Sequence, residues 1–426
     1  MVFVLAVLTA CTGDPGKSSD AGPTTVETTS TTVPGTTTVP VVTTTTEPVI
    51  SISGRVRDGA GDPIARAFVT MDQMVVVTGP DGWFSLATTS PTAMTVSKPG
   101  WTVTELAFAE DTTFYEATIE PVTIRGLRVA AEAAQSDEAF TGLLDLAEET
   151  AVNALVFDTK TEAGHVLYDT RVEAAHEIGA VKVFYDPVER ISQAHDAGLY
   201  TITRVVAFED DVRASVRPDE RLVGPWLDPA SETARAYVLD IAEEACDLGF
   251  DEIQFDYVRY PSGRAAETSG QRDLTQEQRL AAVSGFLSEA RERLHPMGCA
   301  IAAAVFGIVT SSPDDQGLGQ RPEEVSAQVD VLSPMVYPSH YSPGWLGFDD
   351  PNEHPYDVTT DAITDALPRL HETATLRPYL QAFWWSNDQI RQSIQAAEDA
   401  GTGWLLWNIL SNFDRAALPG DDEVGP

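Results

Sequence analysis

The sequence predicts an α/β protein, a (β/α)8 TIM barrel preceded by a small β-sandwich. Eight near-continuous apolar runs alternate with helical patterns over residues 122–412, as expected for parallel strands covered by helices. Short alternating runs, separated by turns rich in Gly, Pro and Asp, fill residues 50–121. Polar side chains recur late in the apolar runs of the second part, where a barrel forms its active site.

Residues 1–11 are predicted to be a lipoprotein-type signal that ends at Cys11. The segment 8–11 (LTAC) resembles a bacterial lipoprotein box, which implies lipidation of Cys11 and attachment to the extracytoplasmic face of the cell membrane. The apolar run before Cys11 is too short to span a bilayer, whereas more than one acyl chain suffices to anchor a protein. The alternative is a short apolar leader of no consequence. Residues 12–49 are rich in Thr and predict a disordered tether.

The charge and the cysteines exclude several classes of protein. A formal net charge of −38 argues against nucleic acid as a partner, because phosphate groups would be repelled. The sequence contains no CxxC pair and no HExxH spacing, so it predicts no metal and no cofactor. Cys246 and Cys299 lie at or just before successive predicted strands, and two separate buried thiols are favoured over a disulfide.

Residues 50–121 form the predicted sandwich. Alternation over Ile52–Val56 and Ala67–Met71 surrounds a turn at Asp58–Pro63, and Asp81-Gly82 precedes another apolar run. This pattern resembles the carboxypeptidase regulatory-like domain. The resemblance implies a prealbumin-like fold without catalytic residues, so a spacer or an accessory binding role is expected.

The eight barrel strands are predicted from apolar runs bounded by turns. They cover Thr123–Ala131, Ala154–Lys160, Tyr200–Phe208, Glu252–Tyr260, Cys299–Gly307, Val329–Tyr337, Arg377–Trp385 and Gly403–Ile409.

Helices are predicted between these strands. Asp137 and Ser231 are candidate caps, Pro187 suits a first turn, and long helices begin at Thr275 and Asn387. No eighth helix is evident after the last strand, a gap that the sandwich could cover. Residues 413–426 form an acidic tail, whose acidic stretch Asp421–Glu423 is predicted to be disordered.

The predicted active site consists of polar and aromatic residues near the strand ends. Amides and charged groups bind sugar hydroxyls, and aromatic faces stack on sugar rings, so the set indicates a polysaccharide or oligosaccharide ligand. The predicted substrate-binding residues are Lys160, Arg204, Gln254, Tyr257, Arg259, Tyr337, His340, Gln381, Trp384, Trp407 and Asn408.

Two carboxyl groups are required for most glycoside hydrolysis. Asp256 is the first candidate, and its alternative role is an ion pair with Arg204 or Arg259. Asp158 is the second candidate, and its alternative role is a pair with Lys160. Loop acids could supply the other carboxyl group; they are Glu162, Glu209, Asp210 and Asp314. His340 is expected to bind or to have a structural role rather than to act as a base.

Several blocks of the chain resemble the "putative glycosyl hydrolase domain" family of bacteria and archaea, over about residues 124–412. They are Phe157–Lys160, Thr203–Val206, Gly249–Pro261, Val305–Gly307, Ser333–Tyr341, Arg377–Gln381 and Gly403–Asn408. The resemblance implies a glycosidase-like barrel related to the α-amylase type. The family often has Asp directly before the Val-Phe-Gly of the fifth strand, where this chain has Ala304.

Three functions are compatible with these observations. The first is a surface-anchored glycoside hydrolase that cleaves an envelope or environmental polysaccharide. The second, motivated by Ala304, is a non-catalytic carbohydrate-binding lipoprotein on the same barrel. The third is an envelope scaffold that binds another protein through its sandwich.

Overall fold

A computed structural model describes residues 49–425, which form a seven-stranded sandwich followed by an eight-stranded parallel barrel. The predicted signal over 1–11, the lipidation site Cys11 and nearly all of the tether lie outside the described residues. Within the described residues, no helix combines the length and the apolar character that crossing a bilayer requires.

The sandwich consists of two small sheets whose inward-facing residues alternate with exposed ones. Its strands are β1 (Ile50–Arg57), β2 (Phe68–Met71), β3 (Met74–Val77), β4 (Trp83–Thr88), β5 (Met94–Ser97), β6 (Thr104–Leu106) and β7 (Phe114–Thr118). The strand orders are β4-β1-β7 and β3-β2-β5-β6. Ile52 and Val56 of β1 pack against Phe84 and Val69, and they exemplify the period of two that the sequence shows.

The barrel consists of parallel strands that are buried along almost their whole length. They are β8 (Arg125–Val129), β9 (Ala154–Lys160), β10 (Tyr200–Val206), β13 (Glu252–Asp256), β14 (Ala300–Phe306), β15 (Val331–Val336), β16 (Thr375–Leu376), β17 (Tyr379–Gln381) and β18 (Trp404–Trp407). The seventh strand of the barrel is split into two segments, β16 and β17, both paired with β15. Pairing of β14 with β15 and of β18 with β8 closes the sheet. A short hairpin, β11 (Arg221–Val223) and β12 (Trp226–Leu227), lies outside the sheet.

Helices cover the barrel between the strands. They are α1 (Ala131–Gln135), α2 (Asp137–Glu148), α3 (Glu173–Glu177), α4 (Pro187–Asp196), α5 (Asp211–Val216), α6 (Glu232–Asp247), α7 (Gly263–Thr268), α8 (Gln276–Leu294), α9 (Ile308–Ser311), α10 (Pro322–Ser326), α11 (Pro355–Ala366) and α12 (Asn387–Asp399). Ser231 caps α6, and Pro187 occupies the first turn of α4 behind the Asp186 cap. The cap of α2 is Ser136 rather than Asp137, because the Ser136 hydroxyl accepts the Ala139 N–H.

Cys246 and Cys299 form a disulfide, so the prediction of two separate thiols is wrong. Cys246 lies in the last turn of α6, and Cys299 directly precedes β14. Since α6 leads into β13, which pairs with β14, the two cysteines meet at the N-terminal ends of neighbouring strands. Their Cα atoms are 6.0 Å apart.

The sandwich packs against the N-terminal face of the barrel. Arg66 donates to the carbonyls of Ala327 and Val329, just before β15, at 2.8 and 3.0 Å. The Phe68 ring meets His295, just before β14, edge-on at 5.2 Å. The sandwich therefore lies at the end of the barrel opposite to the ends of the strands, where an active site would form.

The acidic tail is ordered as far as residue 425, so the prediction of disorder for its acidic stretch is wrong. Leu418 is fully buried in the barrel's outer layer, and the Arg125 guanidinium donates to the carbonyl of Gly425 at 2.7 Å. Glu423 lies 3.5 Å from the Arg391 guanidinium on α12. This segment, rather than the sandwich, covers the place of the missing eighth helix.

Candidate active site

A cavity of about 870 Å³ opens at the C-terminal ends of the barrel strands. Asp256 ends β13, Phe306 ends β14, and Trp407 ends β18. The cavity is lined by Arg204, Asp256, Tyr257, Arg259, Phe306, Gly307, Ile308, Gln316, Met335, Tyr337, His340, Tyr341, Ser342, Trp345, Tyr379, Phe383, Trp384, Trp407 and Ile409. Eight of these nineteen were predicted from the sequence as site residues, so late-strand polar and aromatic residues do converge here.

Three buried side chains and the partly buried Arg128 form a ladder of alternating charge across neighbouring strands β8, β9, β10 and β13. Arg128 lies 2.5 Å from one Asp158 oxygen, and Arg204 lies 3.1 Å from the other. The Nε of Arg204 then donates to Asp256 at 2.7 Å. Each charge has an opposite neighbour, which offsets the cost of removing these groups from water. Asp158 is therefore paired with two arginines and not, as its alternative role supposed, with Lys160.

Lys160 lies outside the cavity and pairs with Asp210. Its ammonium is 2.9 Å from an Asp210 oxygen and also donates to the carbonyl of Val206, and both charged side chains are fully buried. A register shift follows Arg204 in the pairing of β10 with β9, opposite Lys160. Lys160 and Asp210 therefore hold the loop after β10, and Asp210 is not a free loop acid.

Both oxygens of Asp256 accept a hydrogen bond. The second donor is the backbone N–H of Tyr257, at 2.7 Å. Tyr257 has a φ of 49°, a left-handed conformation that costs free energy for a residue with a large side chain. This turn ends the strand at Asp256, four residues before the predicted end at Tyr260. Burial, together with Asp256, raises the pKa of Tyr257 to about 12, so its hydroxyl stays neutral.

Aromatic rings form the walls of the cavity. Two guanidinium groups contact the Trp407 ring, with Arg128 at 4.1 Å and Arg204 at 5.0 Å from its centroid. Tyr337 packs edge-on against Phe383 at 5.4 Å and against His340 at 5.5 Å. Partial burial lowers the pKa of His340, which favours the neutral ring.

Trp384 stands at the rim of the cavity. It is 79% exposed and has a φ of 61°, a strained conformation that turns a large ring toward solvent. Ile409, 55% exposed, also lines the cavity. An apolar rim of this kind is available to a ligand that extends beyond the cavity.

Three predicted amides lie behind the cavity walls instead of lining them. Gln254 accepts from the Tyr379 hydroxyl at 2.5 Å. Gln381 accepts from the Ser339 hydroxyl at 2.8 Å. Asn408 donates to the carbonyl of Ala382 at 2.6 Å and accepts from the backbone of the loop after β18. Their hydrogen-bonding capacity is largely used within the protein, so they position the walls.

Two loop acids remain near Asp256. A Glu162 oxygen lies 3.6 Å from the Arg204 guanidinium, and the Glu162 side chain is half exposed. Glu209 follows β10 and is partly buried. Burial raises its pKa; Arg259 and Arg204 oppose that effect, whereas the nearby carboxylates of Glu162 and Asp256 add to it. Asp314 instead accepts hydrogen bonds from Gln316, which lower its pKa, in an exposed turn.

The fifth strand contributes no carboxylate to the cavity. Ala304 is buried in the barrel interior among apolar residues that include Tyr337 and Tyr379. Arg128 was not predicted as a site residue, although a charged residue inside the short run Arg125–Val129 is a signal that the sequence contains. Tyr379 and Phe306 were not predicted either, since aromatic residues in buried strands resemble ordinary core residues.

No group of three or more His, Cys, Asp or Glu side chains in residues 49–425 is arranged to hold a metal ion.

Residues 126–413 match the family described as "Putative glycosyl hydrolase domain". No curated protein sequence matches the chain. A solved hypothetical protein from Ruminiclostridium thermocellum is 33% identical, over 42% of this chain and 96% of its own, with a TM-score of 0.36. The glycoside hydrolase domain of PgaB (BpsB) from Bordetella bronchiseptica is 14% identical, over 68% of this chain and 95% of its own, with a TM-score of 0.51, which shows a shared fold. Because the family match spans most of the chain and coincides with the barrel, this protein belongs to the "Putative glycosyl hydrolase domain" family.

Proposed function

We propose that this protein is a glycoside hydrolase held at the cell surface by a lipid anchor, acting on an envelope or environmental polysaccharide. The observation that carries the proposal is the Asp256 carboxyl group, held by two hydrogen bonds in an aromatic-lined cavity at the mouth of the barrel. Family membership and the solved PgaB glycoside hydrolase domain of the same fold support this reading.

In the proposed reaction, Asp256 is the ionised carboxylate that acts as nucleophile or general base, and Glu209 is the proton donor. Glu209 gives its proton to the glycosidic oxygen as the bond from that oxygen to the anomeric carbon breaks. Asp256 either bonds to the anomeric carbon as the leaving oxygen departs, forming a glycosyl ester that water then hydrolyses while Glu209 takes up the proton of that water, or it removes a proton from the water that attacks this carbon. The raised pKa of Glu209 suits the acid, because an acid must be protonated near neutral pH. Arg204 holds Asp256 in place and is a positioning residue.

The aromatic side chains supply the binding surface for sugar rings. Trp407 is held rigid by Arg128 and Arg204, whereas Trp384 projects from the rim. A polysaccharide would place the sugar units at the scissile bond beside Asp256 and further units against Trp384 and Ile409.

The location rests on the N-terminal sequence, with lipidated Cys11 and the Thr-rich tether holding the folded part away from the membrane. The Cys246–Cys299 disulfide is in keeping with an oxidising, extracytoplasmic compartment. Two experiments on intact cells test this location: labelling with a membrane-impermeant reagent, and treatment with globomycin, which blocks lipoprotein processing. Retention of the unprocessed protein in the cytoplasm of untreated cells would contradict it.

The catalytic role is tested with Asp256→Asn in the full chain. We expect the release of reducing sugar from a polysaccharide panel to fall by a factor of about 10³ or more, because the carboxylate role is lost. Asp111→Asn, on an exposed turn of the sandwich, is the matched control and should keep full activity. Thermal unfolding of both variants shows whether the fold survives. Unchanged turnover by a folded Asp256→Asn variant would remove this residue from catalysis.

A second function, a carbohydrate-binding protein without turnover, is favoured by one observation. The fifth strand presents Ala304 where the family often has Asp, and Ala304 faces the apolar barrel interior. This reading expects glycan binding that Trp407→Ala weakens, with no reducing sugar released. Any hydrolysis that Asp256→Asn abolishes would rule it out.

A further inference from the structure

Arg259 is a buried cation at the wall of the cavity. It follows β13 three residues after Asp256 and is 5% exposed. Its guanidinium carbon lies 4.2 Å from the Phe306 ring centroid, 4.7 Å from that of Trp226 and 5.1 Å from that of Tyr257. These rings fix the guanidinium in place beside the same space that Asp256 lines.

The Arg259 guanidinium has no ion-pair partner among the residues that the structure describes, since none of their carboxylates lies within 4.0 Å of it. One terminal nitrogen donates to the carbonyl of Tyr260 at 3.0 Å, and its Nε has no hydrogen-bond acceptor. Arg204, equally buried, has three carboxylates within that distance. A guanidinium stays charged in a protein, and an unpaired buried charge is costly.

Direct ion pairs do not include Arg259. Asp158 contacts Arg128 and Arg204, and both Asp256 and Glu162 contact Arg204. Asp256 and Glu209 act on Arg259 only at longer range. In a chain with a net charge of −38, a buried cation without a direct ion pair at the wall of a ligand cavity is a local exception that packing does not require.

We propose that Arg259 binds a carboxylate group carried by the glycan, so that the preferred substrate is an acidic, uronic-acid-type polysaccharide. A guanidinium binds a carboxylate through two parallel N–H···O bonds, and these bonds are strong where water is excluded. Since Arg259 and Asp256 line one cavity, the carboxylate belongs to a sugar at or next to the scissile bond. The claim that this acidic glycan is a substrate rests on the proposed function. The claim that Arg259 binds its carboxylate does not require that the protein hydrolyse it.

The test compares acidic polymers with their neutral counterparts. Polygalacturonate, alginate and hyaluronate are each used before and after reduction of the carboxyl group to hydroxymethyl. The full chain is titrated with each polymer by calorimetry at about 0.15 M salt, which screens the protein's long-range repulsion of polyanions. We expect at least one acidic polymer to bind about 10- to 100-fold more tightly than its reduced form, the range for a charge-assisted hydrogen-bonded pair.

Two variants assign the preference to Arg259. Arg259→Met keeps an apolar side chain among the three rings and should bring the acidic-to-reduced affinity ratio close to one. Arg264→Met removes the same charge from an exposed position on α7 and should keep the ratio of the native chain. A ratio that Arg259→Met leaves unchanged would overturn the assignment.

The unmodified chain tests the proposal even if Arg259→Met does not fold. Equal affinity for acidic and reduced polymers, or affinity for none of the acidic ones, overturns the inference. Hydrolysis of neutral glycans in that case would leave the proposed hydrolase standing. Conversely, a selective but non-hydrolysing protein would retain the Arg259 site while the catalytic proposal fails.

Discussion

Replacement of Arg204 by Met is the most informative perturbation of the charge ladder. Burial lowers the pKa of Arg204, but the carboxylates of Asp256 and Asp158 outweigh it and keep the pKa high. In the variant, Asp158 retains its contact with Arg128, whereas Asp256 keeps only the backbone N–H of Tyr257. The variant therefore leaves one buried carboxylate without a counter-charge.

The expected cost follows from that single unpaired charge. Removing one partner of a buried ion pair typically lowers the free energy of unfolding by about 3–5 kcal/mol. For a domain of this size, a loss of that order lowers Tm by roughly 5–8 °C. We expect Asp256 in the variant to have a raised pKa, because burial disfavours its charged form. A carboxyl group with a raised folded-state pKa loses stability as pH rises, so the defect should be larger at pH 7 than at pH 4.5.

The assay is urea unfolding of the full chain at both pH values, with the double variant Arg204→Met/Asp256→Asn. The double variant lacks the unpaired carboxylate. Its free energy of unfolding should therefore be at least about 1 kcal/mol higher than the summed losses of the two single variants predict, because the two groups are in direct contact. A loss below about 1 kcal/mol, the same at both pH values and additive in the cycle, would show that the ladder does not stabilise this mouth.

Three other predictions follow from separate features of the structure. Replacing both Cys246 and Cys299 by Ser should lower the free energy of unfolding by about 4 kcal/mol, given a separation of 53 residues in the closed loop, and urea titration would measure it; a loss under about 1 kcal/mol would contradict a structural disulfide. Glu209→Gln should abolish the decline of kcat at alkaline pH, since a general acid loses its proton as pH rises through its pKa; an unchanged pH profile would assign the proton donor elsewhere. Trp384→Ala should weaken binding of long glycans about 10-fold while Tm stays within about 2 °C, because the ring is 79% exposed; a large loss of Tm would indicate a packing role.

The fold was predictable because hydrophobic residues recur along the chain with the period of the helix or strand whose buried face they form. Ala154–Lys160 was predicted to the residue, since both faces of a barrel strand are covered and the apolar run stops where covering stops. Other strands end earlier than predicted. Glu252–Asp256 ends at the left-handed residue Tyr257, which no apolar pattern reveals.

The candidate site was predictable as a set of residues but not as a set of roles. Asp256, Arg204 and Trp407 were expected at the mouth from their positions late in strands, and they line one cavity. Lys160 was expected there by the same rule, yet the register shift opposite it and its buried contact with Asp210 remove it from the site. Alternation along a strand predicts the face of the sheet on which each side chain lies, and a bulge reverses that assignment for the residues after it.

The barrel, the sandwich and the ring of polar residues at one end of parallel strands follow from the amino-acid pattern alone, because periodicity and strand polarity are local properties of the chain. The pairing of charges depends on the folded arrangement of the strands. Arg128, Asp158, Arg204 and Asp256 come from four different strands and cancel one another through contacts of a few ångströms. Arg259 looks no different from them along the chain, but it has no such contact, since pairing depends on distances in space that sequence spacing does not specify.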